Sequence, residues 1–152
     1  MINGVYTAIA IEIEELFDEP TIYFEHLPQG FNAPCFWVRM LDANFELRLG
    51  TRHELNLSFE VMYYPSSDDM EELNDVAIKL LWGLEYIYYE TILRRGHNIS
   101  YRIEDGVLHF FITFTLFIYQ EQDKVFMQKL YQSYRYKNEG EITDEQGTDG
   151  SD

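Results

Sequence analysis

Positive charge is scarce in this chain. Eleven Lys and Arg stand against 27 Asp and Glu over 152 residues, a formal net charge of −16. Nucleic acids are gripped through their phosphates by basic side chains, so this balance opposes sequence-independent DNA or RNA binding. An anionic membrane surface is disfavoured for the same reason. A single cysteine, Cys35, leaves no internal disulfide and no cysteine-based zinc site, and it agrees with a reducing compartment. No stretch reaches the roughly 20 apolar residues of a membrane span. The longest apolar run, Val107 to Tyr119, is broken by His109, Thr113 and Thr115. The first residues are not basic and show no signal-peptide pattern. Together these absences predict a soluble, intracellular chain of one domain.

Motifs for chemistry are also missing. His26, His53, His97 and His109 fall in no metal-ligand spacing such as His-x-x-x-His. Cys35 sits between Pro34 and Phe36 in an apolar stretch, the setting of a core thiol rather than a nucleophile. Glu12, Glu14 and Glu15 crowd one polar helix face. Asp68, Asp69, Glu71 and Glu72 lack a calcium-loop pattern and suit the start of a helix instead. The glycines are isolated, with no phosphate-cradling loop and no Gly-x-Ser-x-Gly elbow. No catalytic residue, metal or cofactor is therefore expected.

Aromatic side chains are plentiful at 16%. They either fill a small core or serve contact surfaces. Ile2, Val5, Tyr6, Ile9, Ile13, Leu16 and Phe17 recur at helical spacing and predict a helix over 2–17. Residues 21–26 read as a short strand, and 27–34, with two prolines and a glycine, as a loop. Residues 35–41 read as a strand, Asp42-Ala43-Asn44 as a turn, and 45–49 as extended, with Gly50 at a bulge or bend. Residues 52–64 alternate cleanly, Leu55, Leu57, Phe59, Val61 and Tyr63 against Glu54, Asn56, Ser58 and Glu60, so one face is buried and one wet. Pro65 stops that strand, and Ser66 or Ser67 caps a second helix running to about Tyr88.

Residues 92–93 suggest a brief strand, and Ile99, Tyr101 and Ile103 alternate through a later one. Asp105-Gly106 then predicts a tight hairpin into a long strand over 107–119. Both faces of that last strand are apolar enough to be at least partly covered. The fold class is thus α+β, a largely antiparallel sheet with two amphipathic helices on one face, over a domain of residues 1–120. Residues 121–137 hold a candidate short C-terminal helix, with Phe126, Leu130 and Tyr134 in register, and 138–152 an acidic disordered tail.

Three features point to protein contacts: the aromatic content, the two-sided strand at 107–119, and Tyr86, Tyr88 and Tyr89 near the end of the second helix. Basic residues around strands and loops meet acidic neighbours on another subunit or within the chain. The candidate partner interface is Arg39, Arg48, Arg52, Tyr86, Tyr89, Phe111 and Phe117.

The segment ILRRGHNISYRIEDGVLHFFITFTLFIY, residues 92–119, resembles the C-terminal hairpin of the phage and prophage tail terminator proteins of Gram-positive bacteria and their phages. INGVYTAIAIEIEELF (2–17), TIYFEHLPQGFNAPCFWVRML (21–41) and LGTRHELNLSFEVMYYP (49–65) are similar to the same family, as is the helix that follows. The pieces QGF..PCF and DGVLHFF are the most telling, and the likeness runs collinearly over about residues 1–120. It implies a non-enzymatic virion assembly protein that caps the completed tail tube as a ring, typically hexameric, and forms the head-tail joining surface. It implies the tube protein and a head-completion or connector protein as partners, no membrane and no specific nucleic-acid binding, in the virion tail and in the host cytoplasm during assembly. The acidic stretch after about residue 120 departs from the family's pattern. An acidic ring would repel a passing genome rather than hold it. Alternative readings are another neck or tail-completion protein, an acidic DNA-mimic inhibitor, or an enzyme whose site assembles from distant residues.

Overall fold

The computed structural model describes residues 2–119. The expected helix at 121–137 and acidic tail at 138–152 lie outside the described residues. Helix α1, Ile2–Leu16, buries Val5, Ala8, Ile9 and Ile13 along one stripe. Strand β1, Ile22–Phe24, is shorter than the 21–26 expected and runs parallel to β2, Cys35–Leu47. Strand β3, Arg52–Tyr64, helix α2, Met70–Gly83, and strands β4, Tyr86–Tyr89, β5, Ile92–Glu104, and β6, Val107–Tyr119, complete the order. One six-stranded sheet results, ordered β1-β2-β3-β6-β5-β4 and antiparallel except at β1. The α+β class with a mostly antiparallel sheet and two helices agrees with the sequence.

Both helices contribute to a single core. Val5, Ile9 and Ile13 of α1 and Leu73, Ala77 and Leu80 of α2 join Leu57, Phe59 and Val61 of β3 and Leu108, Phe110, Ile112 and Phe114 of β6. Phe59, Phe110 and Phe114 are fully enclosed. Truncating such a ring costs about 3–5 kcal/mol, because the lost burial is compounded by the cavity left behind.

Five expectations need correction. Asp42-Ala43-Asn44 is not a turn: β2 runs through it and pairs with β3 up to Leu47↔His53. A bulge between Met40 and Asp42 shifts the register there. The extra residue exchanges the parity of the strand, and that break in alternation is what looks like a turn in sequence. The turn lies instead beyond Leu47, where Arg48 N–H donates to the Arg52 carbonyl at 2.9 Å and Gly50 takes φ +61°.

Helix α2 stops at Gly83 rather than about Tyr88. Leu84 and Ile87 continue the apolar stripe and are buried, but Ile87 does so from β4. A side chain at Gly83 would collide with Leu16, so glycine permits the close approach of the end of α1. The N-cap of α2 is Asp69, not Ser66 or Ser67; its Oδ1 accepts the Glu71 N–H at 3.0 Å.

Residues 92–93 are no separate strand but the start of β5, which carries its own irregularity between His97 and Ser100, where Asn98 takes φ +54°. Finally, the polar side of β3 is not wet throughout, since Glu60 is buried at 3% exposure. The tight β5–β6 turn agrees with expectation, with positive φ at both Asp105 and Gly106.

Candidate assembly surface

Among the described residues the helices cover one face of the sheet and no layer covers the other. Register decides what gathers on that helix-free face. Arg39 pairs with Glu60, and Glu60 with Phe111; Arg52 pairs with Tyr119, and Glu54 with Phe117. Arg39, Arg48, Arg52, Phe111 and Phe117, chosen from far-apart stretches of sequence, thus share one surface. Tyr86 is exposed on β4, while Tyr89, three residues on and so on the opposite face, turns into the core. Both lie on a strand rather than on the end of α2.

Glu60 is the hub of this face. Arg39 Nε donates to Glu60 Oε1 at 2.8 Å, and Arg39 Nη2 lies 2.7 Å from the same oxygen. His109 Nδ1 lies 2.7 Å from Glu60 Oε2, and because a carboxylate only accepts, that nitrogen is the donor. A carboxylate can stay buried here because both oxygens receive strong donors. Sequence reasoning missed Glu60, His109 and Trp37, because nothing in their linear spacing relates them. Only the pairings Trp37↔Met62↔His109↔Arg102, with Glu60 two residues from Met62 along β3, bring them together.

Arginines lie over rings across the same face. The guanidinium of Arg39 sits 5.1 Å from the Trp37 ring centre, that of Arg52 4.1 Å from Phe117, and that of Arg102 5.0 Å from Phe111. Each such contact is favourable by about 0.5–1 kcal/mol at exposed sites. Between them runs a polar seam: Ser58 and Thr113 hydroxyls meet at 3.0 Å, and Thr115 donates to Asn56. Arg48, beyond the end of β2, bonds Glu54 and lies 2.9 Å from Glu46. Trp37 Nε1 and Arg52 Nε are buried with no acceptor among the described residues.

Apolar residues emerge at the far end of the β2–β3 hairpin, on α2, and along β4 and the start of β5, where Tyr86, Tyr88, Ile92 and Leu93 are exposed. Phe45, Leu47 and Leu49 are exposed, Leu49 at 81%, and Phe45 stacks on His53 with ring centres 4.7 Å apart. Trp82 and Ile78 are exposed on α2, Trp82 at 76%.

Nothing comparable gathers for chemistry. An open cleft of about 640 Å³ is lined by Phe31, Tyr64, Pro65, Asp68, Asp105 and neighbours, and no histidine lines it. Among the described residues no three His, Cys, Asp or Glu side chains gather as metal ligands. Cys35 is buried against the core, and that desolvation pushes its thiol pKa up, away from a reactive thiolate. No helix among the described residues is long and apolar enough to cross a membrane.

Comparison with known proteins gives a family. A family model described as phage tail terminator protein matches residues 4–125. No curated protein matches the chain. One solved structure, carrying no functional name, is similar over 81% of this chain and 98% of its own, at 11% identity and a TM-score of 0.45. That likeness is too loose to support any argument.

Proposed function

This chain belongs to the phage tail terminator protein family, and from that membership we propose that it closes as a ring on the finished tail tube, with six copies, ends tube growth and presents the surface that joins the head. The family is structural and non-enzymatic, a component of the virion tail that works against tail and head parts. The observation that carries the reading is the family match, which runs from within α1 through the end of β6.

The proposed partner surface is the helix-free sheet face, through Arg39, Arg48, Arg52, Phe111 and Phe117, with Tyr86 at the β4 edge and Tyr89 holding that edge from the core. Arg39 and Arg52 are stacked on rings and Arg48 is bonded to Glu54, so all three are held in place before a partner arrives, which lowers the ordering cost of contact. A net charge of −16 keeps a ring of these chains from gripping the passing duplex. Assembly in the host cytoplasm, in a phage or prophage of a Gram-positive bacterium, completes the proposal.

Electron microscopy of purified protein mixed with its growing tail tubes tests this. The expected result is tubes of arrested length with a ring of density at one end. Tubes that continue to lengthen in excess protein, with bare ends, would overturn the reading.

A further inference from the structure

We propose that neighbouring copies join by sheet continuation, the open edge of β2 in one copy pairing with the open edge of β5 in the next. The inference deepens the ring reading and rests on it.

Two stretches of strand have no backbone partner on their outer side among the described residues. β1 covers only Phe36–Val38 of β2, leaving 41–47 open. β4 covers only Ile92–Arg95 of β5, leaving 97–104 open. Open edges of this length are templates for pairing with another chain.

The groups each edge offers follow from alternation. Arg48 N–H bonds the Arg52 carbonyl, so the bonded pairs with β3 continue at Glu46/Glu54 and Asn44/Asn56. The N–H and C=O groups of Ala43, Phe45 and Leu47 therefore point outward. The two-residue turn closes on a bonded Glu104/Val107 pair, which leaves the backbone of Tyr101 and Ile103 pointing outward from β5.

One register satisfies backbone, faces and charge together. Three antiparallel steps separate β2 from β5, so a neighbour in the same orientation presents β5 antiparallel to β2. Placing Glu46 opposite Arg102 sets Phe45 opposite Ile103 and Leu47 opposite Tyr101, all four with outward backbone groups. Glu46 and Arg102 both lie on the helix-free face; the other four lie on the helix side, where Phe45 and Leu47 are exposed. Pairing β2 with β2 about a two-fold axis at Asn44 would instead set Asp42 of each copy opposite Glu46 of the other, which repels. The proposed contact is head-to-tail, the kind that closes rings.

Two variants, Glu46→Cys and Arg102→Cys, test the register in the full chain, where Cys35 is buried. Each is purified alone, then mixed on tail tubes and oxidised. Disulfide-linked dimers in the mixture, and in neither protein alone, support the proposal. Dimers from Glu46→Cys alone overturn it in favour of two-fold pairing. Rings visible on tubes without any cross-link overturn it while leaving the ring reading intact. Bare tube ends overturn both. As a second measurement, Phe45→Pro removes an outward N–H, a change edge strands tolerate, along with the ring stacked on His53, so it is read against Phe45→Ala, which lacks the ring and keeps the N–H. Loss of rings with a cooperative melt supports the proposal, and normal rings on tubes contradict it.

Discussion

Replacing Arg39 with alanine should destabilise the fold through a residue that the variant leaves untouched. Glu60 is 3% exposed and its Oε1 depends on two nitrogens of Arg39, at 2.8 and 2.7 Å. Removing one partner from a buried ion pair typically costs about 3–5 kcal/mol, because the remaining charge is stranded. Arg39 is itself 40% exposed, so water can reach the vacated position. That screening lowers the expectation to about 2 kcal/mol. Loss of the stacking on Trp37 adds about 0.5 kcal/mol. The paired variant Arg39→Met with Glu60→Leu strands no charge and should cost less than Arg39→Ala alone, within about 1 kcal/mol of the parent. Urea denaturation followed by circular dichroism, at one pH and salt, measures all three. If Arg39→Ala unfolds at the parent's midpoint, the carboxylate does not need the guanidinium and the account of this face is wrong. If the paired variant is the least stable, packing rather than charge governs the site.

Three further outcomes follow from local geometry. Asp69→Ala should lower stability by about 1 kcal/mol through loss of the α2 cap, and Asp69→Ser should recover most of it in a thermal melt. Gly96→Ala drives a methyl group into Ile112 and Phe114. It should cost about 1–3 kcal/mol in urea, with part regained when Ile112→Val is added. Tyr63 is buried and donates to Glu72 at 2.6 Å, and both effects, burial first, raise its phenol pKa above the ordinary 10.0. The unfolded chain then loses this proton first as pH climbs, so the contribution is whole below the ordinary value and is lost above it. Urea midpoints on either side of that pH should fall more steeply in the parent than in Tyr63→Phe.

The fold was legible where one signal dominated. Residues 52–64 alternate without interruption, and β3 occupies those bounds. Asp105-Gly106 tolerates the positive φ that a two-residue turn requires, and the hairpin is there. The misread places are those where two signals compete. An extra residue in β2 broke the period of two and imitated a turn. Leu84 and Ile87 sustain helical spacing past Gly83, yet Leu84 is the C-cap of α2 and pairing with β5 claims Ile87 for a different element. Alternation assigned Glu60 to the polar face, but not its burial, which comes from Arg39 and His109 on two neighbouring strands. Of the arginines and aromatic residues flagged by type, Arg39, Arg48, Arg52, Phe111 and Phe117 lie on one face, since strand parity fixes sides, while Tyr89 turns into the core. Which of them meet required the register, and register is a property of pairs of strands rather than of any one segment.

The bulge beside Met40 has a consequence for insertions and deletions. Leu41 is the supernumerary residue: Met40 faces Phe59 and Asp42 faces Ser58, with nothing across from the residue between. Excising it would leave every later partner in β3 unchanged and would only straighten the arm, relaxing the extra twist a bulge imposes. Excising a residue anywhere from Ala43 to Glu46 would invert the rest of the strand, carrying Leu47 to the charged side. Within this arm the chain has one position whose length can vary freely, and it sits where the strand leaves the cover of β1.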